Sequence, residues 1–117
     1  MPPVIPTEGL NRIAALILAE TTYIAAGTDN TEPSSADTQL GAENNRGAAT
    51  VIQDGNMVTF KVTLANAALP AVTEEIGLFL NGAAGANTGE IAVRALVPFT
   101  KGSDDLLVVI ELTVNEG

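Results

Sequence analysis

The sequence predicts a mainly-β fold, an antiparallel β-sandwich or small barrel with one N-terminal α-helix. Three observations carry that prediction. Met57 to Leu64 alternates apolar and polar residues after Met57, and Asp105 to Val114 repeats Leu106, Val108, Ile110, Leu112 and Val114 with the same period of a strand. Only one stretch, near the N-terminus, has the period of a helix. Between the strand-like runs lie turn signals such as Asp54-Gly55-Asn56 and Lys101-Gly102-Ser103, spaced as in sandwiches and barrels.

Taken in order, Pro2, Pro3 and Pro6 keep residues 1–6 as an extended arm, because proline fixes φ and restricts the residue before it. Residues 7–117 then form one domain. Thr7 is placed as an N-cap with Glu8 in the first turn. Leu10, Ile13, Ala14 and Ile17 share one helical face, Leu18 flanks it, and Leu16 falls outside with Arg12, Ala15 and Ala19 opposite. Gly9 in the first turn costs about 1 kcal/mol relative to Ala, so the helix leans on tertiary contacts.

Thr21 to Ala26 reads as a short strand. Residues 27–41, crowded with Gly, Asp, Asn, Ser, Thr and Pro, read as a long loop with a single helical turn starting at Ser35 and ending near Leu40. Loops of this length in compact domains are functional or pinned by partners. Ala49 to Gln53 and Met57 to Leu64 form a hairpin, with Val58, Phe60, Val62 and Leu64 facing inward. Thr73 to Leu80 and Glu90 to Val97 follow, joined by a Gly/Ala/Asn loop over 81–89. In the last strand Leu106, Val108, Ile110, Leu112 and Val114 face inward, yet Leu107 and Val109 on the other side are apolar too. A strand apolar on both sides is covered on both, by the helix or by another chain.

Composition narrows the function. The chain has no histidine and no cysteine, the residues behind most nucleophilic, metal-binding and proton-shuttling chemistry near neutral pH. A Ser-His triad is impossible, and nothing points to Ser103 with Lys101 in its place. Glu74 and Glu75 point to opposite faces of a strand and are no acid/base couple. One of them, set against Ile-Gly-Leu-Phe, needs a partner if buried, and Arg94 on the next strand is the candidate; a solvated edge charge is the plainer alternative. Asp104 and Asp105 read as turn residues. The 27–41 loop lacks the D-x-[DN]-x-[DN]-G spacing of a calcium loop, and the 81–89 glycines lack the lysine of a phosphate loop. No cofactor and no metal is expected.

The net charge is −9, with Arg12, Arg46, Lys61, Arg94 and Lys101 scattered singly, so neither nucleic acid nor an anionic membrane is an expected partner. No run approaches the ~18 apolar residues of a membrane span. The opening Met-Pro-Pro-Val-Ile-Pro does not read as a signal peptide. Only 3% of residues are aromatic, so small aliphatics build the core and neighbouring subunits are expected to add stability.

The order GLNRIAALI, TTYIAAGTDNTEPSSADTQLGAENNR, VTFKVTL, EEIGLFL, IAVRALV and TKGSDDLLVVIELTV resembles a family of tailed-phage virion proteins. Members include the N-terminal attachment region of tail-fibre and tail-collar-like proteins. The resemblance covers roughly Gly9 to Val114. Thr28, Thr31, Pro33, Asp37, Thr38, Leu40, Gly41 and Glu43 match the family's loop pattern, and Glu75, Ile76, Gly77, Leu78 and Phe79 its later one; Asp29 stands where a glycine is common. The resemblance implies a non-enzymatic structural protein located in the virion, bound to other virion proteins and self-associating, with a trimer expected. Ending at Gly117 without a shaft, the chain is expected to be a small adaptor between tail or baseplate and fibre. A capsid decoration protein is the alternative, and a carbohydrate-binding module is third, since only Tyr23, Phe60, Phe79 and Phe99 are aromatic. The expected protein interface comprises Arg12 and Leu16 on the helix, Asp29, Asn30, Thr31, Glu32 and Asp37 in the loop, and Leu107 and Val109 on the last strand.

Overall fold

Seven strands, one α-helix and a 3-10 turn at Asn66–Ala68 account for the regular structure in the computed structural model, which describes residues 3–115. The strands form two antiparallel sheets, in the orders β2-β1-β5-β6 and β3-β4-β7. Their ranges are β1 Tyr23–Gly27, β2 Glu43–Ala48, β3 Thr50–Asp54, β4 Met57–Leu64, β5 Val72–Leu80, β6 Glu90–Thr100 and β7 Leu106–Thr113. The mainly-β sandwich with one helix is thus the observed architecture. Pro2, at the start of the expected arm, and Glu116 and Gly117, at the end of the domain, lie outside the described residues.

Strand alternation places the core. Val58, Phe60, Val62 and Leu64 of β4 are buried between the sheets and meet Ile24 and Ala26 of β1 and Ile76 and Leu78 of β5. Leu106, Val108, Ile110 and Leu112 of β7 close the same cluster. Ala49 carries the chain from β2 in one sheet to β3 in the other, which joins the layers on that side. On the other side β6 and β7 are consecutive in sequence but belong to different sheets, and the sandwich stays open between them. The accessible surface is 6690 Å², above the roughly 6,000 Å² expected for this mass. The molecule is elongated, 52 × 26 × 22 Å.

Helix α1 spans Thr7–Leu18. Its cap is Pro6, not Thr7: Pro6 has φ −61° and ψ 161°, its carbonyl accepts the Leu10 amide at 3.1 Å, and no side chain caps the start. The ring fixes the φ that a cap position tolerates, so the helix begins one residue early. Ala14 is fully buried and Ile17 packs on the core, while Ile13 sits at the solvent edge of its stripe. The helix lies on β3 and β4, and Gln53 Nε2 donates to the Asn11 carbonyl at 2.9 Å. It therefore does not cover Leu107 and Val109, one of the two covers expected for them.

Other boundaries shift for local reasons. Thr21 and Thr22 precede β1, their carbonyls accepting the amides of Gly82 and Ala49. The expected helical turn near Ser35 is only a turn: Ser34 Oγ accepts the Ala36 amide and Asp37 Oδ2 the Ser34 amide, which satisfies the backbone without a helix. β2 was not foreseen, since Glu-Asn-Asn-Arg-Gly-Ala lacks strand-forming residues. β6 runs on through Pro98 to Thr100, which an edge strand permits because a missing amide there costs no ladder bond.

Candidate functional site

The outer face of the four-stranded sheet holds the densest polar structure. Register places Arg46, Ala25, Gly77 and Arg94 in one row across it, two cations flanking two small residues. Leu40 fills the hollow between them; a Cβ on Gly77 would lie 2.8 Å from its Cδ2. Leu40, Ala25 and Phe79 form a second buried cluster with Ile91 beside it. The 27–41 loop is thereby strapped over β1 and β5.

Glu75 holds the strap. Its side chain is fully buried and accepts backbone amides from Asp29 at 3.0 Å, Gly41 at 2.9 Å and Ala42 at 2.9 Å, plus Arg94 Nε at 3.1 Å. Four donors match the roughly four lone-pair sites of a carboxylate. Of the two glutamates, Glu75 is thus the buried one and Arg94 its partner; the solvated edge charge is overturned. Gly27 lies opposite Glu75, and any side chain there would collide with the carboxylate. Arg94 also reaches Asp37 Oδ2 at 3.4 Å.

A second buried pair ties down the other loop. Glu43 receives Arg46 Nε and Nη2, both at 2.7 Å, with each side chain almost fully buried. Arg46 Nη1 donates to the carbonyls of Ala83 and Thr88 at 3.1 and 3.0 Å, and its guanidinium lies 4.5 Å over the Phe79 ring. This pair was not foreseen. The Glu-x-x-Arg spacing is its one sequence signal, and without β2 that spacing carries no direction.

The loop residues expected at an interface divide accordingly. Asp29 and Asp37 are half-buried and bond within the loop and to Arg94, whereas Asn30, Thr31 and Glu32 are exposed. Thr31 donates its hydroxyl at 2.7 Å and its amide at 2.9 Å to Asp29 Oδ1, and these bonds hold the Asp29 carboxyl below its ordinary 3.8. The lowered value means that the stabilisation is complete above the unfolded pKa and is lost as pH falls through the folded one. Thr31→Val is expected to move Asp29 part of the way back toward 3.8 in a carboxyl NMR titration, since the amide bond survives.

Apolar exposure is concentrated elsewhere. On α1, Gly9, Ile13 and Leu16 make a second seam, with Leu16 56% exposed, Arg12 exposed beside it and Ile5 of the arm against Gly9. On β7, Leu107 is 61% and Val109 47% exposed, on the outer face of the three-stranded sheet. A groove of about 420 Å³ runs along the open side between β6 and β7, lined by Val93, Val97, Phe99 and both faces of Leu106 to Ile110. The structure therefore does not unite the expected interface residues. The loop covers one outer face of the sandwich, Leu107 and Val109 lie on the other, and Leu16 projects from the helix.

Asp105 Oδ1 accepts the Asn66 amide at 2.8 Å, so that carboxylate ties the turn before β7 to the segment after β4, 39 residues away, and not to nearby backbone. Among the described residues no cluster of acidic side chains is placed to hold a metal ion, and no helix is long and apolar enough to cross a membrane. In comparisons with known proteins, no family model and no curated protein matches the chain.

Proposed function

We propose that this chain is a non-enzymatic structural protein of a tailed-phage virion, a small adaptor that joins the tail or baseplate to a fibre. The observation that carries the reading is the meeting of the two segments that resemble the phage family. Leu40 and Gly41 of the loop pattern pack on Gly77 and bond to Glu75 of the strand pattern, and Glu43 holds the arginine stacked on Phe79. The two strings, separated by more than thirty residues, thus meet as parts of one piece of architecture, which supports reading them together. The buried polar side chains named above are spent on holding loops, and the uncovered apolar residues are offered to partners. Phe60 and Phe79 are fully buried and Tyr23 and Phe99 half-buried, so the aromatic platform of a carbohydrate site is not assembled from them.

Mass spectrometry of purified virions, with copy number set against the major capsid protein, tests the assignment. A few to a few dozen copies per particle are expected. Hundreds would make the chain a capsid decoration protein, and none would end the virion reading. Leu16→Asp or Leu107→Asp is expected to leave a folded chain, by circular dichroism, that no longer enters particles. Normal incorporation of both variants would discard these surfaces as interfaces.

A further inference from the structure

An unpaired strand at a sheet edge invites another strand, and folded proteins usually block it with charge, proline, bulges or brevity. Three of the four edges here are blocked. β6 contains Pro98 and two shifts of register against β5. β2 has a shift of register against β1 and carries the Glu43–Arg46 pair. β3 is only five residues long, ends in Asp54 and lies under α1. β7 has the fewest of these devices. It pairs with β4 through eight consecutive residues without a shift, contains neither Pro nor Gly, and has Glu111 as its one charge. Its free edge runs along the apolar groove on the open side of the sandwich.

We propose that β7 pairs antiparallel with β7 of a second copy, about a two-fold axis at Val109, to give a continuous six-stranded sheet. The strand is self-complementary in that register. On the inner face Leu106 meets Leu112 and Val108 meets Ile110 of the other copy, which extends the core of each sandwich across its open side. On the outer face Val109 meets Val109, and Leu107 meets the aliphatic part of Glu111, so the two carboxylates stay apart. A slip of one residue would set each inward side chain of one copy opposite an outward one of the other, leaving the two sandwiches on opposite faces of the joined sheet. A slip of two residues one way sets Glu111 against Asp105; the other way it removes the Val109 contact.

The occupant is a second copy because the strand complements itself: in this register each apolar residue from Leu106 to Ile110 meets an apolar side chain or an aliphatic stem of the same strand. Each chain carries −9, so two copies repel wherever their acidic surfaces face one another. Residues 106–110 contain no ionisable group, and there two acidic chains approach with least opposition. Such a contact is isologous, the same strand on both sides. The inference stands on the strand edge and not on the virion assignment, so each can fail alone.

The chain has no cysteine, which makes cross-linking decisive. Directly opposed residues of an antiparallel pair have Cα atoms about 4.5–5.5 Å apart, within disulfide range. Under mild oxidation Val109→Cys is expected to form a covalent dimer. Leu107→Cys alone is not, and the double variant Leu107→Cys/Glu111→Cys is. In sedimentation the native chain is expected at twice its 12.0 kDa mass, and Val109→Lys, which opposes two lysines at the axis, is expected to raise the dissociation constant more than tenfold. A native chain that sediments as a monomer or trimer overturns the proposal. So does Leu107→Cys cross-linking as fully as Val109→Cys, or a Val109→Lys dimer of undiminished affinity.

Discussion

Glu75→Ala is expected to destabilise the fold by about 3–5 kcal/mol, the range for removing one partner of a buried ion pair. Two effects combine. Arg94, with a side chain only 5% exposed, loses its nearest carboxylate, and the amides of Asp29, Gly41 and Ala42 lose their shared acceptor. Glu75→Gln keeps the volume but sets an NH₂ group against backbone donors, so it is expected to lose about half as much. For a domain of this size the alanine loss corresponds to roughly 12–20 °C in midpoint temperature. Chemical denaturation measures the total, and hydrogen exchange locates it: protection is expected to fall first at residues 29, 41 and 42. A loss below about 1 kcal/mol, the size of an exposed pair, would show that Leu40 packing holds the strap without the carboxylate.

What the sequence made legible follows the range of each interaction. The alternation of Val58, Phe60, Val62 and Leu64 is a short-range signal, and all four residues are buried. The partnership of Glu75 with Arg94 was readable because adjacent strands bring such residues together. The three amides that complete the carboxylate's shell were not, since they arrive from 33 to 46 residues away on backbone that any sequence could supply. Thr7 was misplaced because a hydroxyl outranks proline as a cap in general, while here Pro6 already had the required backbone. The two-sided apolar character of β7 was visible, but not that α1 would settle on β3 and β4 and leave Leu107 and Val109 bare.

β2 is the element least explained by its own residues, and Arg46→Ala is expected to show why it is a strand at all. Nothing in Glu-Asn-Asn-Arg-Gly-Ala favours extended structure; pairing with β1 and the Arg46 contacts hold it. Removing the guanidinium leaves Glu43 buried without its bidentate partner, takes a donor from the carbonyl of Thr88 and one of two from that of Ala83 and uncovers Phe79. The expected loss is again about 3–5 kcal/mol, with exchange protection vanishing in 43–48 and 81–89 while β4 and β7 keep theirs. Glu43→Gln combined with Arg46→Met removes both charges together and is expected to recover part of that loss, for a coupling of roughly 1–3 kcal/mol in the double-mutant cycle. If the two losses simply add, the pair does not act as a unit, and Glu43 and Arg46 each hold β2 through their other contacts. In that case the 81–89 loop is expected to stay protected in Glu43→Gln, where Arg46 still reaches it, and to open only when Arg46 is lost.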